Sequence, residues 1–91
     1  MLDNAAKQSL RESLIEYLAG KPDYSFSVST LTRSIKKRNL VDFPFSEADT
    51  AEALALLSGL GLVKDIMPKL GSIKEYQATA DGVLFHERNG K

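Results

Sequence analysis

Few side chains in this sequence combine a chemically useful type with a useful spacing. The sole histidine, His86, lies near the C-terminus with no plausible nucleophile or second ligand beside it, so neither acid–base catalysis nor metal binding is expected there. Glu12 and Glu16 stand four apart, which puts two carboxylates on one helix face, but this is also the ordinary spacing of solvated acids on an exposed helix. Gly59-Leu60-Gly61 lacks the further glycine, the lysine and the strand-to-helix setting of a phosphate-cradling loop, and reads as a helix stop. No catalytic, cofactor or metal site is expected, and no small-molecule substrate. What the residue types do offer is charge recognition. Arg33, Lys36, Lys37 and Arg38 occur with no acid among them, and Lys64, Lys69 and Lys74 form a second basic group. Such groups can grip phosphates without reading sequence. A basic run at a helix C-terminus can equally serve the helix dipole and keep a surface solvated.

The elements that must position these groups follow from composition and periodicity. With 91 residues, 43% hydrophobic and 26% charged, the chain is long enough for one small core and too short for two domains, so residues 1–91 are read as a single domain. The absence of cysteine excludes disulfides and thiolate metal sites. Twelve basic and twelve acidic residues cancel, which argues against a protein that coats nucleic acid by bulk attraction and leaves local patches to do any binding. Met1-Leu2-Asp3-Asn4 opens no basic-then-apolar leader, and no run approaches the roughly 18 apolar residues of a membrane span. A cytoplasmic protein without membrane contact is expected.

Leu10, Leu14, Ile15 and Leu18 recur at helical spacing from about Asp3, and Gly20, suited to a left-handed cap, and Pro22 end that helix. A second helix begins at Ser27 or Ser29, with Val28, Leu31 and Ile35 inward, and runs into Lys36-Lys37-Arg38. Residues 39–45 connect, with Phe43 and Phe45 available to plug the space between helices. Ser46 and Asp49 are spaced as a capping box for a third helix that buries Leu54 and Leu57 and is broken by Gly59 and Gly61. Two β-capable runs follow, Leu62 to Met67 and Ile73 to Ala78, joined by a turn at Pro68-Lys69-Leu70-Gly71-Ser72. Thr79-Ala80-Asp81-Gly82 then caps a short last helix whose Val83, Leu84 and Phe85 could add to a dimer surface but are expected in the core, given how little surface so small a domain can spare.

This order, with Gly61-Leu62-Val63 entering the hairpin and Tyr76-Gln77-Ala78-Thr79-Ala80-Asp81-Gly82 leaving it, resembles the winged helix-turn-helix superfamily over nearly the whole chain. More narrowly, Leu10-Arg11 through Lys21-Pro22-Asp23-Tyr24-Ser25, with Ser46 and Gly61-Leu62-Val63, is similar to small winged-helix proteins of Mu-like prophages. The resemblance implies a mainly α fold: a three-helix core, a two-stranded wing and a short C-terminal helix. It also implies DNA binding or transcription regulation, with the second helix crossing the backbone and the third entering the major groove. The chain departs from that pattern in its third helix, which carries Glu47, Asp49 and Glu52 and no basic residue. The expected DNA contacts are therefore Arg33, Lys36, Lys37 and Arg38, with Lys64, Lys69 and Lys74 of the wing. The alternative is a protein-interaction module, a homodimer among the options, that uses Ala48, Ala51, Glu52 and Ala55 on the outer stripe of the third helix. Acids in a first turn and alanines on a helix surface also have plain structural explanations.

Overall fold

Each helix starts where a short polar side chain replaces a missing backbone partner. The computed structural model describes residues 2–67 and 73–89, with elements α1 (Asn4–Ala19), β1 (Phe26–Ser27), α2 (Val28–Lys37), α3 (Glu47–Gly59), β2 (Val63–Ile66), β3 (Glu75–Ala78) and α4 (Ala80–Asn89). The Asp3 carboxylate accepts the Ala6 N–H at 2.8 Å to open α1, and Ser27 Oγ accepts that of Thr30 at 3.2 Å to open α2. At α3 the capping box is complete: Asp49 N–H donates to Ser46 Oγ, and Ser46 N–H donates to Asp49 Oδ2.

The helix ends differ in kind. Gly20 is right-handed (φ −72°, ψ −14°), not left-handed as its type suggested. Its N–H still bonds Glu16, and the Lys21 and Tyr24 amides bond Leu18 and Lys21, so successive turns around Pro22 lead the chain away. The left-handed caps are Asn39 (φ 53°) and Gly61 (φ 79°). In both, the next residue's amide reaches back five positions, Leu40 to Ile35 and Leu62 to Leu57, and the cap's own amide reaches back three, which is the Schellman arrangement. Gly59 therefore does not break α3 but closes it as the last helical residue; Gly61 makes the turn.

The expected hairpin is present as β2 and β3, antiparallel with Val63 opposite Ala78 and Ile66 opposite Glu75. Its turn, with Lys69, lies outside the described residues. The sheet has three strands instead of two, because β1 pairs with the free edge of β3, Phe26 opposite Tyr76. Ser25 Oγ donates to Glu75 Oε1 and Gln77 Nε2 donates to the Pro22 carbonyl, both at 2.7 Å, so the α1–α2 connection is tied to the wing. This is a winged-helix arrangement, mainly helical, with a small antiparallel sheet.

Leu10, Leu14 and Leu18 of α1, Leu31 and Ile35 of α2 and Leu54 of α3 are fully buried and make the centre of one core, closed at its edges by Phe45, Val63 and Tyr76. At about 1.5–3 kcal/mol for each such side chain, this cluster supplies most of the drive to fold. Phe45 is buried and Phe43 half-buried edge-on to it, so the connection does plug the interhelical space. The expectation for α4 fails in part: Val83 packs on the core, but Leu84 and Phe85 are 46% and 39% exposed. The face that α4 turns inward is set instead by Gly82. Thr79 fixes the entry, its N–H donating to Leu62 O (3.1 Å), its Oγ1 donating to Gly61 O (2.7 Å) and accepting from Gly82 N–H (3.0 Å).

A methyl group at Gly82 would fall 2.0 Å from the Leu62 carbonyl and 3.1 Å from Ile15 Cδ1, whereas one at Gly59 would meet nothing within 4 Å. Gly82→Ala is therefore expected to destabilise the domain by about 2–3 kcal/mol or more. Gly59→Ala should stabilise it by about 0.5–1 kcal/mol. Urea titrations followed by circular dichroism check both, and equal effects of one sign would contradict the packing described.

Candidate nucleic-acid interface

The helix pair that would face a nucleic acid is α2 with α3, and a buried hydroxyl pair sets its geometry. Thr32 Oγ1 donates to Thr50 Oγ1 at 2.8 Å, and Thr50 Oγ1 donates to the Ser46 carbonyl at 3.3 Å. Both threonines are buried, and Thr32 Oγ1 also lies 2.8 Å from the Val28 carbonyl. No described buried side-chain polar atom lacks a partner. Because a hydroxyl stranded in the core costs about 1–3 kcal/mol, the pair disfavours sliding of α2 along α3.

With Leu31, Thr32 and Ile35 buried, α2 must present Arg33 and Lys37, one helical turn apart, to solvent. Both are exposed, and neither forms an ion pair among the described residues. Lys36 and Arg38 leave the helix on its flanks and lie against rings: Lys36 Nζ is 5.3 Å from the centre of Phe45, and the Arg38 guanidinium is 5.1 Å from that of Tyr17. Lys21 Nζ stands 5.3 Å from Tyr17 as well, and Tyr17 meets Phe26 edge-on. These contacts are worth about 0.5–1 kcal/mol each at an exposed site, so they orient the cations without neutralising them. The basic run thus divides into an outward pair, Arg33 and Lys37, and two cations steered along aromatic faces. In the sequence Tyr17 was not singled out and Phe45 was expected only as an interhelical plug, because the rings belong to α1 and to the α2–α3 connection and only tertiary packing brings them to the cations of α2.

The wing is less basic than its lysines suggest. Lys74 pairs with Asp65 on the neighbouring strand at 3.7 Å, leaving Lys64 exposed and without an ion pair among the described residues. The signal was available: in the observed register Asp65 opposes Tyr76, and Lys74 stands two positions before Tyr76 on the same face, so Asp65 and Lys74 lie diagonally across the hairpin. Glu75 is also engaged, by Ser25.

On α3 the acids are largely accounted for within the chain. Asp49 belongs to the capping box, and Glu52 pairs with Lys7 of α1 at 3.4 Å; Glu47 stands in the first turn, where it favours the helix dipole. Ala48 and Ala55 are exposed but Ala51 is half-buried, so with Glu52 drawn to Lys7 the four residues do not form one open stripe. A cleft of about 200 Å³ between α1 and α3, floored by Leu10, Ala53 and Leu56 and edged by Lys7 and Glu52, is smaller than the roughly 300–1,000 Å³ of a typical ligand pocket. Among the described residues there is no cluster of three metal-ligating side chains, and no helix is long and apolar enough to cross a membrane. His86 is half-buried on α4, and Glu12 and Glu16 are exposed on α1, Glu12 accepting from Gln8.

A solved transcriptional regulator from Clostridium thermocellum, Cth-833, has the same fold: the superposition has a TM-score of 0.74 and covers 99% of this chain and 85% of that one, at 13% sequence identity. No protein-family model and no curated protein matches the chain. These comparisons lend no support to the narrower likeness to prophage proteins.

The left-handed Asn39 is what turns the chain immediately after the basic run. Asn39→Ala is expected to cost about 1 kcal/mol, since alanine tolerates that conformation less well. Lys37→Ala on the open face should change stability by less than about 0.5 kcal/mol. Thermal melts of the two variants check this, and a larger loss from Lys37→Ala would mean that its charge is engaged in the fold.

Proposed function

We propose that the protein is a small DNA-binding regulator that holds the phosphate backbone through α2 and the wing. The observation that carries this reading is the outward pair Arg33 and Lys37, exposed and without ion pairs among the described residues, on the helix that crosses the backbone in helix-turn-helix docking. Lys36 and Arg38, steered by Phe45 and Tyr17, and Lys64 on the wing extend the same grip; Lys74, drawn to Asp65, contributes less, and Lys69, outside the described residues, is a further candidate contact. The Cth-833 regulator, which shares the fold, supports a regulatory role. Placed in a groove, α3 offers no cation to bases. Any direct readout there falls to Glu47, which can accept from a cytosine amino group, and to small side chains such as Ala48, which suit a thymine methyl. Most of the affinity is then electrostatic and independent of sequence.

Fluorescence anisotropy of a labelled random-sequence duplex at several salt concentrations tests this. Four or five phosphate contacts predict a slope of log affinity against log salt near −4. Arg33→Ala with Lys37→Ala should lower affinity at least about tenfold and make the slope shallower by about two. Reversing Lys36, Lys37 and Arg38 to glutamate should abolish binding. Ala48→Arg should raise affinity, because it adds a cation where α3 meets the backbone. Absence of binding at low salt, or retained affinity in the triple reversal, would overturn the reading.

A further inference from the structure

The outer face of α4 is neither core nor an ordinary solvated surface. Asp81, Leu84, Phe85 and Arg88 follow the spacing of one helix stripe, and all four are exposed. The helix dipole accounts for an acid in the first turn and an arginine in the last. It does not account for two large apolar side chains held out between them in a domain with so little core to spare. Apolar surface continues on one side to Leu60, 62% exposed, at the cap of α3, and to Leu62 between α3 and β2, which line a shallow depression with this stripe. On the other side Phe85 borders Arg11 and Ile15 of α1.

We propose that this stripe binds a second copy of the chain, the two α4 helices packing antiparallel about a two-fold axis that passes between Leu84 and Phe85. The argument is the symmetry of the charges. Asp81 and Arg88 lie equally far from that point, one on each side, about 5 Å along the helix at 1.5 Å per residue. An antiparallel copy therefore sets Asp81 of each chain against Arg88 of the other, twice, with the leucines and phenylalanines meeting in the middle. A parallel copy would oppose like charges at both ends, so the stripe specifies orientation as well as partner. Helix against helix covers less than the roughly 800 Å² per partner of a stable interface, and Leu60 and the α1 edge at Arg11, which adjoin the stripe, are surface that can add to the contact. The interface uses none of Arg33, Lys37 or Lys64, so it stands or falls independently of the DNA reading.

Sedimentation equilibrium at micromolar concentration, without DNA, tests the proposal. The wild-type chain should sediment at twice its 10.0 kDa mass. Asp81→Arg and Arg88→Asp should each weaken self-association at least about tenfold, because symmetry turns one substitution into two like-charge contacts. An equimolar mixture of the two variants should recover the dimer, since each chain then meets opposite charges at both ends; this recovery also shows that both variants are folded. Leu84→Glu should be monomeric with unchanged helical circular dichroism. A monomeric wild type, a dimer indifferent to both reversals, or a mixture that fails to re-associate would each overturn the antiparallel α4 contact.

Discussion

Between Gly61 and Gly82 the main chain meets itself twice. The Leu62 carbonyl accepts the Thr79 amide, the Thr79 hydroxyl donates to the Gly61 carbonyl, and the backbone of Gly82 lies where no side chain would fit against Leu62. One junction thus ends α3, closes the base of the hairpin and starts α4, and Ile15 of α1 borders it. The other parts inherit their positions from it. The hairpin leaves the body in a direction set by the left-handed turn at Gly61, and α4 is laid on α1 through a glycine surface. Its opposite stripe, apolar residues included, is left facing outward.

The charged surface reflects the same economy of space. A domain of this size buries few polar groups, and among the described residues the buried pair Thr32 and Thr50 bond to one another and hold the angle between α2 and α3. Charges are kept outside and disposed by what lies under them: a ring beneath Lys36, a ring beneath Arg38, a cap around Asp49, a lysine beside Glu52. The net charge of zero conceals this arrangement. Within it, the cations of α2 remain available, while two of the three α3 acids are engaged within the chain.

Much of the fold was legible in the residues because its signals are local. Ser27, Ser46 with Asp49, and Thr79 mark three helix starts by chemistry that acts over three residues, and the leucines of α1 identify its buried face by spacing alone. What escaped depends on distance. Two residues, Phe26 and Ser27, are too few to show an alternating pattern, and they become a strand only because Tyr76 and Glu75, about fifty positions away, offer a free edge. Leu84 and Phe85 are as apolar as core residues, and nothing near them in sequence says that Gly82 claims the inward face. At the candidate interface, the basic cluster could be named from composition, but not its division into outward and ring-seated cations, which depends on Tyr17 and Phe45.

The small third strand changes what the wing is. In a hairpin attached only at its base, the tip is an arm that can swing. Here β3 is paired on both sides, to β2 and to β1, and Ser25 to Glu75 and Gln77 to Pro22 add two short bonds between the wing and the segment that leads into α2. The wing stem and the head of α2 are consequently braced as one rigid piece, so the base of the hairpin cannot turn without carrying the start of α2 with it.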